Sequence, residues 1–476
     1  MDILVVATAL LALFCLVRPF SGLHVVVVAG FLQDPLRKLL PGNAFYMVLL
    51  AFFLFTFCAA GLFARGGLRR LQRSATFGLF RVPVAALFLL VLVQTLHSYA
   101  RWGSAVISGI GFLSYLGPVA AASAGYLLSL RTSRLLALFR AYALLGTLAA
   151  GSVLAARLWP EMTVLRPIGE GLMVYGENLR VELASGLLRT PEVAAWHAAT
   201  TACVLLILLT VGDRGRRRLG ELAYGAFGLA VAVLAILFTG RRKALAELVF
   251  FAAVYFFLLF RARQRPRRLV TVVVLGGAIV GYQLLSGAFA ASESRATAHL
   301  VSRGGSVAED STRRLTESVG SAAEALRRYG LFGVGAGSSA QGTQYFGADA
   351  SIGLVAEPGI GRIAAELGIL GLLLAGWLVV RLGGELRRRV ASLAIREPGV
   401  ARLGFGLLSL LLANALVFVT ASQIFGDPFV YLLLGLIAGG IVGLIDGTAP
   451  AGRRATDRGN RPELAPATGR VPVLAG

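Results

Sequence analysis

The chain has 476 residues, 57% of them hydrophobic and 15% charged, with a mean hydropathy of +0.76. Soluble domains carry about 25% charged residues, so this composition excludes a soluble globular enzyme and indicates a polytopic membrane protein. The formal net charge of +22 would suit a nucleic-acid binder, but the basic residues lie between apolar runs, where topology accounts for them.

The apolar runs fall at about 3–17, 22–32, 44–64, 82–100, 104–130, 134–156, 196–212, 222–240, 243–260, 268–288, 361–380, 403–422 and 427–446. A helix needs about 20 residues to cross the hydrocarbon, so the short first two runs form one bent span or two, and the total is about 12 or 13. No basic segment precedes the first run and no small-x-small cleavage site follows it, so it reads as a span and not as a signal peptide. The expected fold is all-α: a polytopic transmembrane helical bundle over residues 1–446, with one large extracytoplasmic helical loop at 289–360. Residues 447–476, rich in Gly, Pro, Ala and Arg, read as a disordered cytoplasmic tail.

Alternate connections are strongly basic. They carry Arg65, Arg69, Arg70 and Arg73, then Arg131 and Arg134, then Arg214 and Arg216 to Arg218, then Arg261 to Arg268, then Arg387 to Arg389. The positive-inside rule places these in the cytoplasm. The same alternation puts the connection 157–195, the turn Gly240 to Lys243, the long loop and the turn near Asp427 outside.

In the connection 157–195, Thr190 suits an N-cap, Pro191 the first helical position and Glu192 the first turn. Trp196 then fits an interfacial anchor. His197 suits a backbone hydrogen bond more than acid–base work. Further on, Thr239-Gly240-Arg241-Arg242-Lys243 puts three cations in a short outer turn, against the charge rule. That is the chemistry of an anion site for a lipid phosphate or pyrophosphate. Glu247 lies about one turn deeper, as a structural partner to these cations or as an i,i+4 pair with Lys243.

The large loop holds a helix from Asp310 or Ser311 to about Arg328, with Arg313/Glu317 and Glu324/Arg328 at pairing distance. Arg313, Arg314, Arg327 and Arg328 on it stand before Gly333, Gly335 and Gly337, whose turns have amides able to cradle phosphate. This run follows a helix and is not a dinucleotide fingerprint. At the far end, Glu357 precedes a span, where partial desolvation suits a general base. Arg362 and Glu366, at i,i+4, form either part of that site or a helix salt bridge. Cys15, Cys58 and Cys203 sit in apolar runs and read as core residues. The four histidines show no ligand spacing, so neither metal nor cofactor is expected.

The order of these elements resembles the O-antigen ligase and polysaccharide polymerase superfamily of GT-C-type membrane glycosyltransferases. The likeness rests on the cationic outer turn, a late outer loop with "LFGVGAG", and "AEPGIGRIAAELGILG" entering the next span. "GFLQDPLRKLLPG" (Gly30 to Gly42) and "GLLRTPEVAAWHAA" (Gly186 to Ala199) are similar to exopolysaccharide members. The resemblance implies transfer of a glycan from undecaprenyl pyrophosphate to a sugar hydroxyl, on the outer side of a bacterial cytoplasmic membrane. It implies no metal or nucleotide. The family's pyrophosphate-binding arginines match Arg241 or Arg242 and Arg314. Ligases proper carry a histidine near the position of Glu357, and its replacement favours polymerase chemistry over ligation.

On this reading Glu357 is the base, Arg241, Arg242 and Arg362 clamp pyrophosphate, and Arg314 clamps from the loop. Lys243, Arg327 and Arg189 complete the substrate-binding candidates. The partners are the lipid-linked glycan, membrane lipid and other polysaccharide export proteins. Three further readings stand beside it: an O-antigen-type ligase using the same donor, a flippase or transporter for the lipid-linked glycan, and a non-catalytic scaffold. A transporter places charges deep in spans near the midplane, and here the clear charges lie at the outer edge.

Overall fold

The computed structural model describes residues 2–168, 173–176, 179–211, 219–264, 307–340, 343–347, 349, 352 and 357–448. The expected span at 268–288, the first part of the large loop with His299, and the tail from 449 lie outside the described residues. Among the described residues, ten helices are long and apolar enough to cross a membrane. The protein is an all-α, multi-pass helical bundle.

Residues 2–39 fold as two helices, α1 (Asp2–Val17) and α2 (Pro19–Leu39), so the N-terminal runs are separate. Pro19 opens α2 at a position where its missing N–H is no loss, and α2 extends past the expected end at residue 32. Then follow α3 (Leu50–Ala64), two short helices α4 (Gly67–Gln72) and α5 (Ala75–Gly78), α6 (Arg81–Trp102), α7 (Ala105–Ser129) and α8 (Thr132–Leu158). The connection 159–190 holds a feature foreign to an all-helical reading, a hairpin of β1 (Met173–Gly176) and β2 (Leu179–Glu182) with Val174 opposite Val181. The chain continues through α9 (Pro191–Val211), α10 (Leu219–Phe238), α11 (Arg242–Arg261), α12 (Val307–Tyr329), α13 (Gly359–Leu393), α14 (Pro398–Thr420) and α15 (Pro428–Gly447). Thr190 caps α9 as expected, its Oγ1 accepting from the Val193 amide at 3.3 Å. The α12 helix starts at Val307, earlier than expected, so Asp310 and Ser311 lie within its first turns.

The helices α6 to α11 alternate in direction, and so do α13 to α15. One end of the bundle gathers Trp102, Pro191, Arg242, Gly359 and Pro428 with α12 across it, and is here termed the loop end. The other, the basic end, gathers Arg65, Arg81, Arg131, Arg261 and Arg389. Without a hydrophobic drive between helices in lipid, close packing carries association. The longest seam shows this: Gly435, Gly439 and Gly443 of α15, four residues apart, abut Pro118, Ala122 and Tyr126 of α7.

The α12 helix is tied down by Ser318, whose hydroxyl donates to the Val419 carbonyl of α14 at 2.7 Å. The chain then turns into the bundle. Residues 333–338 are buried between α6, α7 and α13 although they are not helical. Several of its backbone groups find partners across the bundle, as a low-dielectric interior requires. The Val334 amide donates to the Ala365 carbonyl at 2.8 Å, the Ala336 amide to the Gln94 carbonyl at 3.1 Å, and the Ile369 amide to the Leu331 carbonyl at 2.9 Å. The last bond exists because α13 breaks at Gly368, with φ +68° and ψ −161°. Gln94 and Trp102 of α6 donate to the carbonyls of Phe332 and Val334 at 2.7 and 3.1 Å.

Gly337 has φ +88°, and a Cβ there would stand 2.2 Å from the Ile107 carbonyl oxygen. Gly330 has φ +78° with open space around it. Left-handed backbone alone costs a side chain roughly 1–2 kcal/mol. Gly330→Ala is expected to lose only that, and Gly337→Ala clearly more. Thermal unfolding of the purified variants in detergent checks the ranking; equal losses would show that the inserted segment is not held as described.

Candidate functional site at the loop end

The loop end is organised by one buried ion cluster. Arg189 lies between Asp34 of α2 and Asp427, with Nη1–Oδ1 at 3.3 Å and Nη2–Oδ2 at 2.6 Å. Its amide also donates to Asp34 at 3.0 Å. Burial works against the charge of Arg189, but Asp427 and Asp34 hold its proton affinity above the ordinary arginine range. Asp427 further caps α15 by accepting from the amides of Phe429 and Val430. Lys38, pushed down to about 8 by burial, donates to the carbonyls of Val164, Gly186 and Leu188 at 3.2, 2.7 and 2.7 Å. Arg189 is thereby committed to holding α2, α15 and the 157–190 connection together. It is a structural residue, not the substrate contact expected from the sequence.

A second group of charges lies beside it, over the ends of α9, α11 and α14. Gly240, at φ +63°, turns the chain so that Arg241 and Lys243 both reach Glu192 in the first turn of α9. Arg241 Nε stands 3.6 Å from the Glu192 carboxylate, and Lys243 forms an ion pair with it. Arg314 of α12 approaches from above, its Nη1 lying 3.9 Å from Glu357 Oε1. Lys243 feels both Arg314 and Glu357. Burial, and then Arg314, lower the proton affinity of Arg241, although a guanidinium keeps its charge in any protein. Among the described residues, three cations and two carboxylates thus converge here, with Arg314 repelling both Arg241 and Lys243. Arg242 begins α11 next to them and is half-buried.

Glu357 is pinned through its backbone, its carbonyl accepting from the amide and hydroxyl of Ser422 at 2.7 and 3.0 Å. Its side chain is 46% exposed, so the desolvation expected of it is not present. Within this second group the less accessible carboxylates are Glu192, 12% exposed, and Glu247. Glu247 is fully buried and accepts from Asn414 Nδ2 at 3.0 Å. Asn414 Oδ1 in turn accepts from Trp196 Nε1 at 2.7 Å. Glu247 is therefore partnered by Asn414, and the expected Lys243–Glu247 pair gives way to Lys243–Glu192. Trp196, 2% exposed, is part of the core and not an interfacial anchor. A cleft of about 10 Å³, near the size of one water, is lined by Glu192, Trp196, Arg241, Lys243 and Glu247.

The remaining sequence candidates fall elsewhere. Arg362 is buried and pairs with Glu366 at 3.4 Å. Glu366 also accepts from the amides of Gly337 and Ser339 at 3.1 Å each and from the Ser339 hydroxyl. The glycine-rich turn thus cradles a carboxylate of its own chain where a phosphate had been expected, and Arg362 neutralises that carboxylate. Arg327 is 79% exposed and holds Glu324 at 2.6 Å on the solvated face of α12. His197 hydrogen-bonds the Tyr142 hydroxyl at 3.0 Å in place of backbone and stacks on Phe429. Sequence reasoning missed the site roles of Glu192 and Asn414. A single asparagine in the apolar run 403–422 was the available signal.

Comparison with known proteins finds no family model that matches the chain and no match among curated proteins.

Removing Arg189 strands two buried carboxylates, which costs about 3–5 kcal/mol. Arg327→Ala removes only an exposed pair, worth below about 1 kcal/mol. Unfolding midpoints and membrane accumulation of the two variants should therefore separate sharply. An Arg189→Ala protein as stable as Arg327→Ala would contradict the clamp.

Proposed function

We propose that the protein transfers a glycan from a polyprenyl-pyrophosphate carrier, of the undecaprenyl type, to a sugar hydroxyl, and so polymerises envelope or exopolysaccharide repeat units. The observation that carries this reading is the convergence of Arg241, Lys243, Arg314 and Glu357. They come from three remote segments of the chain and meet at one end of a membrane bundle. A lipid-anchored diphosphate arrives at that depth with its charge at the helix ends and its tail in the bilayer.

The chemistry needs two things of the protein. The acceptor hydroxyl oxygen attacks the anomeric carbon, the bond from that carbon to the phosphate oxygen breaks, and the pyrophosphate leaves with the electron pair. Arg241, Lys243 and Arg314 stabilise the charge that develops on it, with Arg242 beside them. The hydroxyl proton passes to a carboxylate, and Glu357 is the accessible one. Glu192 is locked by two cations and Glu247 is sealed in the bundle. Arg362, paired with Glu366, supports the inserted segment and does not clamp substrate. The lead over a transporter rests on the position of these charges at the helix ends.

The assay uses purified protein in lipid nanodiscs with undecaprenyl-pyrophosphate oligosaccharides, and sizes the glycan by mass spectrometry. A ladder of repeat units is expected. Arg241→Ala and Arg314→Ala should each slow it about 10²–10³-fold, the usual cost of losing a transition-state charge contact. Glu357→Gln should slow it about 10²–10⁴-fold, as for a lost general base. A single transfer to an added acceptor would indicate a ligase. Undiminished polymer from all three variants would sink the assignment, as would passage of the lipid-linked glycan across the bilayer with no product.

A further inference from the structure

We propose that the basic end carries a binding site for an anionic phospholipid, in a cavity between the α4–α5 elbow and helices α6 and α7. The cavity has a volume of about 710 Å³ and is lined by Arg69, Gln72 and Arg73 of the elbow, Arg81 of α6, and the apolar side chains of Leu71 and Phe77. None of the three arginines has a carboxylate partner among the described residues. The carboxylate that the elbow does contact, Asp446 of α15, accepts hydrogen bonds from the hydroxyls of Ser74 and Thr76. Glu385 is taken by Arg388 and Arg389.

The walls of the cavity are fixed by packing. Gly67 lets α4 approach α7 so closely that a Cβ there would stand 2.6 Å from Leu127 Cδ1. Ser74 caps α5, its Oγ accepting from the Phe77 amide at 2.8 Å, and the Asp446 contacts bind the same elbow to α15. Three guanidiniums are thus gathered with no counter-charge among the described residues, and a phosphodiester satisfies their fork-like donors.

The surroundings favour a lipid over a soluble anion. Below Arg81, Val82, Leu89, Val93 and Leu96 of α6 are 72, 62, 53 and 63% exposed. Their spacing of seven, four and three residues lines them up on one helix face. That stripe begins at the rim of the cavity and runs along a membrane-spanning helix, so it fits acyl chains while the arginines take the headgroup. Each basic residue near a membrane surface contributes about a fivefold gain in affinity for anionic lipid. The site lies at the opposite end of the bundle from the proposed catalytic charges, so it stands or falls independently of them.

Native mass spectrometry of the full chain in mild detergent tests this with dioleoyl phosphatidylglycerol and dioleoyl phosphatidylcholine as probes. Bound phosphatidylglycerol should exceed phosphatidylcholine by at least tenfold. The R69Q/R73Q/R81Q variant should lose phosphatidylglycerol affinity on the order of a hundredfold, and R81Q alone about fivefold. R261Q/R263Q, at the same end but outside the cavity, should bind as the unaltered protein does. Where the triple variant unfolds, R81Q carries the test, since that side chain is exposed. Equal binding of the two lipids, or equal loss in R261Q/R263Q, would overturn the proposal. Displacement of the lipid by millimolar sn-glycerol 3-phosphate would assign the site to a soluble phosphate and overturn it as well.

Discussion

Hydrocarbon offers a backbone amide no hydrogen-bond partner, and the break in α13 is closed from within the protein. The break of α13 at Gly368 frees a carbonyl and an amide, and the inserted segment 331–334 takes up both. The segment in turn needs a donor for two of its own carbonyls and receives Gln94 and Trp102. Its last turn presents two amides and a hydroxyl to Glu366, whose charge Arg362 balances. A broken helix, a glycine-rich turn and a buried ion pair are one structural unit, and that unit fixes where α12 ends and where the approach to Glu357 begins.

Two kinds of charge then share the loop end. Asp34, Arg189 and Asp427 are buried and mutually satisfied, which makes them a clamp. Arg241, Lys243 and Arg314 are partly open and crowded by like charge, with Glu192 and Glu357 among their partners. The clamp sets the position of α9, and α9 carries Glu192 to the cationic turn. The rigid set thus places the reactive one, the usual division between scaffold and site.

Much of this was legible in the chain. The apolar runs, the cationic turn at 239–243, the cap at Thr190 and the helix in the large loop all follow from local periodicity and local chemistry. Pairing was less legible. Arg362 and Glu366 at i,i+4 were open to either a salt bridge or a catalytic role, and the glycine-rich turn decided the matter by claiming the carboxylate. Lys243 had two reachable carboxylates, Glu247 four residues on and Glu192 in another helix. The neighbour in sequence lost because Asn414 occupies it. Trp196 carries the residue type of an interfacial anchor, yet a partner 218 residues away draws it into the core.

The sequence by itself determined that this chain spans a membrane many times as helices, because crossing hydrocarbon demands length, apolarity and internal hydrogen bonding, all of which are properties of contiguous residues. Only the tertiary structure decided which partners each charge takes. Arg189, Arg241, Arg314, Arg327 and Arg362 are alike in sequence terms. They differ in what faces them across the bundle, and opposing partners, desolvation and repulsion are set by residues far away in the chain.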